Sequence, residues 1–262
     1  MGFERRGART VVTRCRSTLP LQVLAPEALD DPAAVVSVLN PTGGLVGGDR
    51  LVIDVAVGPG AHACLTTPSA TKVYRTDGEI AVQEVRLRVE AGATAEWVPD
   101  HTIPFAGSAF RQSIHAELGP GARLILVDAF AAGRIARGEA WRFARLESAL
   151  NVRDTGGWLL HDRFALGGGE GWAALGFAEG AAYFATVAVV GELDPVALRA
   201  AVGRVVARDG GVRAAAGRLP RRGLLVRILA MDAPGLIDAL DAVWGLARAT
   251  LLDAPPLALR KP

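Results

Sequence analysis

The side chains best suited to chemistry fall in four short blocks. Residues 40–50 read NPTGGLVGGDR, 66–75 read TTPSATKVYR, 96–105 read EWVPDHTIPF and 133–139 read GRIARGE. In the third block, Glu96, Asp100 and His101 supply two carboxylates and an imidazole, the donors of a metal site or of an acid/base pair. Its two prolines, at a change from strand to loop character, fit a functional loop. His62, His115 and His161 show no HxxxH spacing, so a closed imidazole cage is not indicated. In the second block, Lys72, Tyr74 and Arg75 can hold an anion, or can belong to a solvated loop with Tyr74 packed beneath it.

The first block is defined by Gly43, Gly44, Gly47 and Gly48. A phosphate loop needs a closing Gly-Lys-Ser/Thr, which is missing, and a dinucleotide fingerprint needs a following helix. Residues 51–57 alternate like a strand instead. The glycines therefore allow a tight backbone or the close approach of another surface, and Asp49 and Arg50 form a candidate local ion pair. The fourth block reads as a charged turn entering a strand. The chain has no GxSxG, no HExxH and no Ser–His pairing. The absence of any complete catalytic kit is itself evidence against an enzyme.

These blocks must be held by strands. Residues 55–65, 87–97 and 116–126 repeat one pattern: a strand-like run, a tight Gly-Ala turn and a second run, about every 30 residues. A weaker fourth copy falls at 151–160. Leu51, Ile53, Val55 and Val57 share one face, as do Val85, Leu87 and Val89, with polar residues between, the period of half-buried strands. Such units must stack to be stable.

The last third changes period. Asp194-Pro195 starts a helix whose face is Leu198, Ala201, Val202 and Val205 and which ends at Asp209-Gly210-Gly211. Residues 224–231 read as a strand. Asp232 caps a second helix with the stripe Leu236, Leu240, Val243, Trp244 and Ala247. The proline-rich tail, 255–262, is not helical. The expected fold is mainly β, with stacked solenoid-like layers and two helices. It is one unit over 1–262, with a β-rich body to about 190 and a helix–strand–helix segment over about 194–250. The helices either pack on the body or, if Leu236 or Trp244 is exposed, contribute an interface.

Composition narrows the partners. The chain has 262 residues, half of them hydrophobic, and 29 Lys plus Arg against 27 Asp plus Glu. This balance carries no nucleic-acid footprint. Cys15 and Cys64 make no disulfide framework, and Cys64 lies in an apolar alternating run as a buried small hydrophobe. The polar start is unlike a signal peptide, and the apolar run 181–191 is too short for a membrane span. A soluble, cytoplasmic protein is expected.

In this order, the four blocks resemble the urease accessory protein UreD (UreH) family, with residues 106–108 extending the third block as AGS. LHDRF at 160–164 and GLLVR at 223–227 fit the later family pattern. The resemblance covers almost the whole chain and implies a mostly-β superhelical stack with two helices. It further implies a scaffold that binds apo-urease together with UreF and the GTPase UreG and assists GTP-dependent nickel insertion. No permanent cofactor is implied; Ni2+ binds transiently and crosses the protein by an internal passage. Residues in or beside the blocks become passage candidates: Asp49, Thr66, Ser69, Glu96, Asp100 and Glu139. Oxygen donors suit a passage, since imidazole and thiolate hold nickel more tightly. The rival reading is a β-solenoid carbohydrate-active enzyme using Glu96 and Asp100, although aromatics make up only 6% of the chain, few of them at ladder spacing.

Overall fold

The computed structural model describes residues 1–27, 29–169, 171–172, 174, 176–206, 210–257 and 259. The strands are β1 (Gly2–Arg6), β2 (Arg9–Arg14), β3 (Gln22–Val23), β4 (Ala34–Leu39), β5 (Arg50–Val57), β6 (His62–Thr66), β7 (Thr71–Val73), β8 (Ala81–Val89) and β9 (Thr94–Trp97). They continue with β10 (Thr102–Pro104), β11 (Ala109–Leu118), β12 (Arg123–Ala131), β13 (Arg145–Asp154), β14 (Gly157–Gly167), β15 (Tyr183–Val190), β16 (Val212–Arg218) and β17 (Leu224–Ala230). The helices are α1 (Pro195–Val206) and α2 (Ala233–Leu252).

The three clear repeats are three coils. In each, a strand of one sheet turns through four residues into a strand of a second sheet: β5 to β6, β8 to β9 and β11 to β12. Successive coils stack in parallel and in register, so that Ile53, Val85 and Ile114 form one row and Cys64, Glu96 and Ile125 another. The turns stack as well: Gly60 N–H donates to Ala91 O and Gly92 N–H to Pro120 O. Gly60, Gly92 and Gly121 all have φ near +65°, a conformation in which a side chain would be strained. The fourth copy differs. Its connection is only Thr155-Gly156, the length of a hairpin loop, so β13 and β14 are antiparallel neighbours within one sheet.

The first sheet runs β14-β13-β11-β8-β5-β1-β2 and the second β16-β17-β15-β12-β9-β6-β4-β3, with β7 and β10 attached beside β12. Alternation along β5 and β8 places Ile53, Val55, Val85 and Leu87 in the apolar core between the sheets. The second sheet is covered on its other face by α1 and α2, through Leu198, Val202, Leu236, Val243 and Ala247. Burial on both faces makes β15 continuously apolar, which accounts for the lipid-like run at 181–191. No helix among the described residues is long and apolar enough to cross a membrane.

The caps form as expected. Asp194 accepts from Val196 N–H (2.9 Å), and Asp232 from Gly235 N–H (2.8 Å). Leu236 and Trp244 are buried, so α2 turns its stripe inward rather than toward a partner. The Val205 side chain and Asp209 lie outside the described residues. The segment between the helices holds two strands, not one. Residues 212–218, VRAAAGR, are too rich in alanine and arginine to read as β16 from pattern alone.

Candidate functional site

At the end opposite the stacked turns, each coil closes through a longer connection: residues 67–80, 98–108 and 132–144. These carry the second, third and fourth blocks, and residues 40–50 lie against them. β7 pairs in parallel with β10, and β10 with β12. Leu45 N–H donates to Lys72 O and Tyr74 N–H returns to Leu45 O, both at 2.8 Å. A Cβ on Gly44 would lie 2.6 Å from Lys72 O and 2.8 Å from Tyr74 Cε2, so this glycine lets the first block lie directly on the second. At Gly48 (φ +84°) a Cβ would fall 2.4 Å from Glu79 Oε2. Tyr74 packs edge-on against Phe105 with ring centres 5.1 Å apart. The Asp49–Arg50 ion pair does not form: Asp49 accepts from Val46 N–H (2.8 Å), and Arg50 reaches Glu84 at 3.4 Å. Asp49 serves the turn because its short side chain bonds its own backbone more easily than a neighbour pointing to the opposite face.

The fourth block is tied to the third. Arg134 Nε donates to Glu139 Oε2 (2.8 Å), its guanidinium lies 4.1 Å from the centre of the Phe105 ring, and Glu139 also accepts from Ala106 N–H. The hydrogen bond from Arg134 holds the Glu139 carboxyl below its ordinary range. Thr66 Oγ1 donates to Val98 O (2.9 Å), and Asp100 N–H donates to Thr67 Oγ1 (2.9 Å), joining the second block to the third.

Beneath these loops lies a recess of about 110 Å³ reaching between the sheets. Asn40, Ser69, Lys72, Asp100 and Thr102 line it from the loop end, and Gln83, Gln112 and Asp128 from the long strands. A wider cleft of about 620 Å³ separates the loops from α2, with His101, Ile237, Asp241 and Trp244 on its walls. Residues 68–70, 99 and 100 line both spaces, so Ser69 and Asp100 stand on a shared rim.

At the inner end, Asp128 Oδ1 accepts from Gln112 Nε2 (2.6 Å), Oδ2 accepts from Ser148 Oγ (2.7 Å), and Gln112 accepts from Gln83 (2.8 Å). Burial pushes the Asp128 carboxyl up to about 7, against the lowering effect of the Ser148 and Gln112 hydrogen bonds. Asp128, Gln112 and Ser148 lie outside the four blocks and were missed in the sequence. The available signal was one aspartate in the otherwise apolar run 124–131.

Glu96 lies elsewhere. Its side chain leaves the second sheet toward α2, where it is fully buried and contacts Arg248, Trp244 Nε1 (2.6 Å) and His62 Nε2 (2.7 Å). Arg248, also fully buried, reaches Asp31 as well. Burial alone would raise the Glu96 carboxyl, but the hydrogen bond and charge of His62, then the charge of Arg248, hold it below its ordinary value. The structure therefore separates Glu96 from Asp100, and the acid pair that the carbohydrate-enzyme reading needs does not assemble. Among the described residues, no three His, Cys, Asp or Glu side chains converge as metal ligands.

Over residues 1–262 the chain matches the family model described as UreD urease accessory protein. It is 41% identical to a urease accessory protein UreD of Anaeromyxobacter sp. across 85% of this chain and 75% of the relative. It is 35% identical to that of Deinococcus radiodurans (99% and 92%) and 34% to that of Haloarcula marismortui (99% and 88%). Identity thus extends along both chains, beyond the blocks themselves, and the chain belongs to the UreD urease accessory protein family.

Proposed function

We propose that the chain is a nickel-delivery scaffold in urease maturation, binding apo-urease together with UreF and the GTPase UreG. In this reading it assists GTP-dependent nickel insertion and catalyses no reaction itself. The observation that carries the reading is the recess beneath the first three family blocks, where the oxygens of Asn40, Ser69, Asp100, Gln112 and Asp128 stand among apolar side chains and where Ser69 and Asp100 are shared with the cleft beside α2. Carboxylate, hydroxyl and amide oxygens bind a divalent ion weakly enough to release it, whereas a cage of imidazoles or thiolates would retain it. Nickel is the cargo here, entering after GTP hydrolysis and leaving toward urease.

Within this reading the passage candidates divide by position. Ser69 and Asp100 stand on the rim, and Asp128 waits at depth. Thr66 and Glu139 bind neighbouring segments to one another, and Asp49 holds the turn of its own loop, so that all three shape the opening. Glu96 anchors α2, one wall of the cleft. The test is complementation of a urease-positive strain lacking its own UreD, with urease activity and bound nickel as readouts. The wild-type chain should restore both. Ser69→Ala with Asp100→Ala should lower urease nickel severalfold while the chain keeps its melting temperature. Full nickel content with the double variant would remove the rim from the passage, and failure of the wild-type chain would remove the function.

A further inference from the structure

The two sheets do not match at one end. β14 is the last strand of the first sheet and packs on β15 and β17 of the second. The Phe164 and Phe184 rings are 5.6 Å apart, and Asp162 accepts from Arg227 at 2.7 Å. The second sheet continues one strand further, to β16. No described strand of the first sheet stands over β16, and the face carrying Arg213, Ala215 and Gly217 is exposed. The result is an apolar slot of about 500 Å³, floored by β16 and β17 and walled by Phe164, Trp141 and Trp172.

The side of the slot is a free strand edge. Among the described residues, β14 pairs with β13 alone. Arg221 donates to the carbonyls of Gly157 and Trp158 at one end, and Trp172 Nε1 donates to Gly167 O at the other. Residues 159–166 lie between these two caps. This stretch holds no proline and no lysine, the usual guards of an edge. Its one inward charge, Asp162, is neutralised by Arg227.

We propose that this slot receives an extended segment of a partner protein, added as a further strand along β14 with alternate apolar side chains facing Leu229 and the Trp141 aromatic cluster. An unpaired run of backbone N–H and C=O groups calls for polypeptide in the strand conformation. Charge selects the sequence. The arginines of the floor, Arg213 and Arg227, are 59% and 54% exposed, whereas their carboxylate partners Glu179 and Asp162 are 30% and 19% exposed. The uncovered charge is positive, so the segment carries acidic residues beside its apolar ones.

A second copy does not fit. Joining two β14 edges about a two-fold axis would bring each protruding β16 into the layer already occupied by the other. The contact is also small: eight residues at about 3.4 Å each, on a strip about 10 Å wide, bury roughly 600 Å² in total, well below the ~1,200 Å² of a stable interface. Such a strand serves a partner that is also held elsewhere, which rests on the scaffold role proposed above.

The test uses hydrogen–deuterium exchange on the full chain, alone and with purified cognate UreF, UreG or apo-urease. Expected is at least tenfold slower exchange within residues 159–166 on adding one of these proteins. Ala215→Arg, which fills the slot from an exposed position, should weaken that complex tenfold or more, while Val52→Arg on the outer face of the first sheet leaves it unchanged. A complex that forms without protecting β14 and tolerates Ala215→Arg would overturn the slot and leave the nickel role standing. Concentration-dependent dimers of the chain that are lost in Ala215→Arg would assign the slot to a second copy and equally overturn the proposal. If none of the three proteins binds, slot and scaffold role fall together.

Discussion

Arg248→Met is expected to be among the most destabilising single changes in the chain. Arg248 is 0% exposed, as is Glu96, and the side chain of Asp31 is 2% exposed. Removing the guanidinium takes the cationic partner from Asp31 and leaves Glu96 with His62 and Trp244 only, in the buried interface between the second sheet and α2, where Arg248 Nε also donates to Pro255 O at 2.9 Å. Breaking a buried pair from one side costs about 3–5 kcal/mol, chiefly because the other charge stays buried and uncompensated. For a chain of this length that corresponds to a fall in Tm on the order of 10 °C. Glu96→Gln should cost less, about 1–3 kcal/mol, because the amide still accepts from Trp244 and Arg248 keeps Asp31. The double variant should lose at least about 2 kcal/mol less than the sum of the two single losses. Urea unfolding of all four proteins, each fitted for its slope as well as its midpoint, measures the cycle. Glu96 also predicts a pH signature. Its folded-state value lies below the ordinary 4.5, so its contribution is present above that pH and is lost as pH falls through the folded value. Glu96→Gln should flatten this acid limb. An Arg248→Met loss under about 1 kcal/mol, or a coupling near zero, would show that the interface is wet and that Glu96 is free to serve elsewhere.

Asp128 predicts the opposite slope. Its folded value near 7 against an ordinary 3.8 means that the folded state holds the extra proton, so stability is fully present below about pH 4 and declines as pH rises through 7. Asp128→Asn should remove that decline and, at pH 8, unfold about 2–4 kcal/mol later than wild type by the linkage of 1.36 kcal/mol per pKa unit; an unchanged pH profile in thermal unfolding would refute it. Gly44→Ala should cost about 1–3 kcal/mol by forcing Lys72 and Tyr74 away, as overpacking does, with faster amide exchange at Leu45 and Tyr74 as the local readout. Asp232→Ala should cost about 1 kcal/mol through loss of the cap on Gly235 N–H, measured by urea midpoint at constant slope.

The coils were legible in the sequence because a period of two and a glycine turn are local signals, and three near-identical copies reinforce one another. Asp194 and Asp232 were legible for the same reason, since a cap acts on amides two or three residues away. The fourth copy misled because sheet-crossing and hairpin turns both rely on glycine, and the length of the connection separates them. Glu96 misled for a deeper reason. Its proximity to Asp100 in sequence suggested a shared site, but residues 96 and 100 straddle the end of β9. The partner that defines Glu96, Arg248, is 152 positions away. Asp128 likewise takes its meaning from Gln112 and Ser148 on strands of the opposite sheet, which no spacing rule relates to it.

The stacking explains why the motif residues can vary in role while keeping one frame. Each coil spends four residues on the turn end, where stacked amides and positive-φ glycines leave no room for insertion, and 11 to 14 residues on the opposite end. Parallel stacking then brings three long connections side by side, so the second, third and fourth blocks meet although they are 30 or more residues apart. A recess under such a layer has a rim made by several loops at once. Moving any one loop, for example by displacing Gly44 from Lys72 or Glu139 from Ala106, alters the position of Ser69 and Asp100 without touching either residue. On the scaffold role proposed above, variants of the blocks that leave all oxygen donors in place should therefore still impair nickel delivery, in proportion to the loop displacement seen by amide exchange. A passage defined by its donors alone would tolerate them.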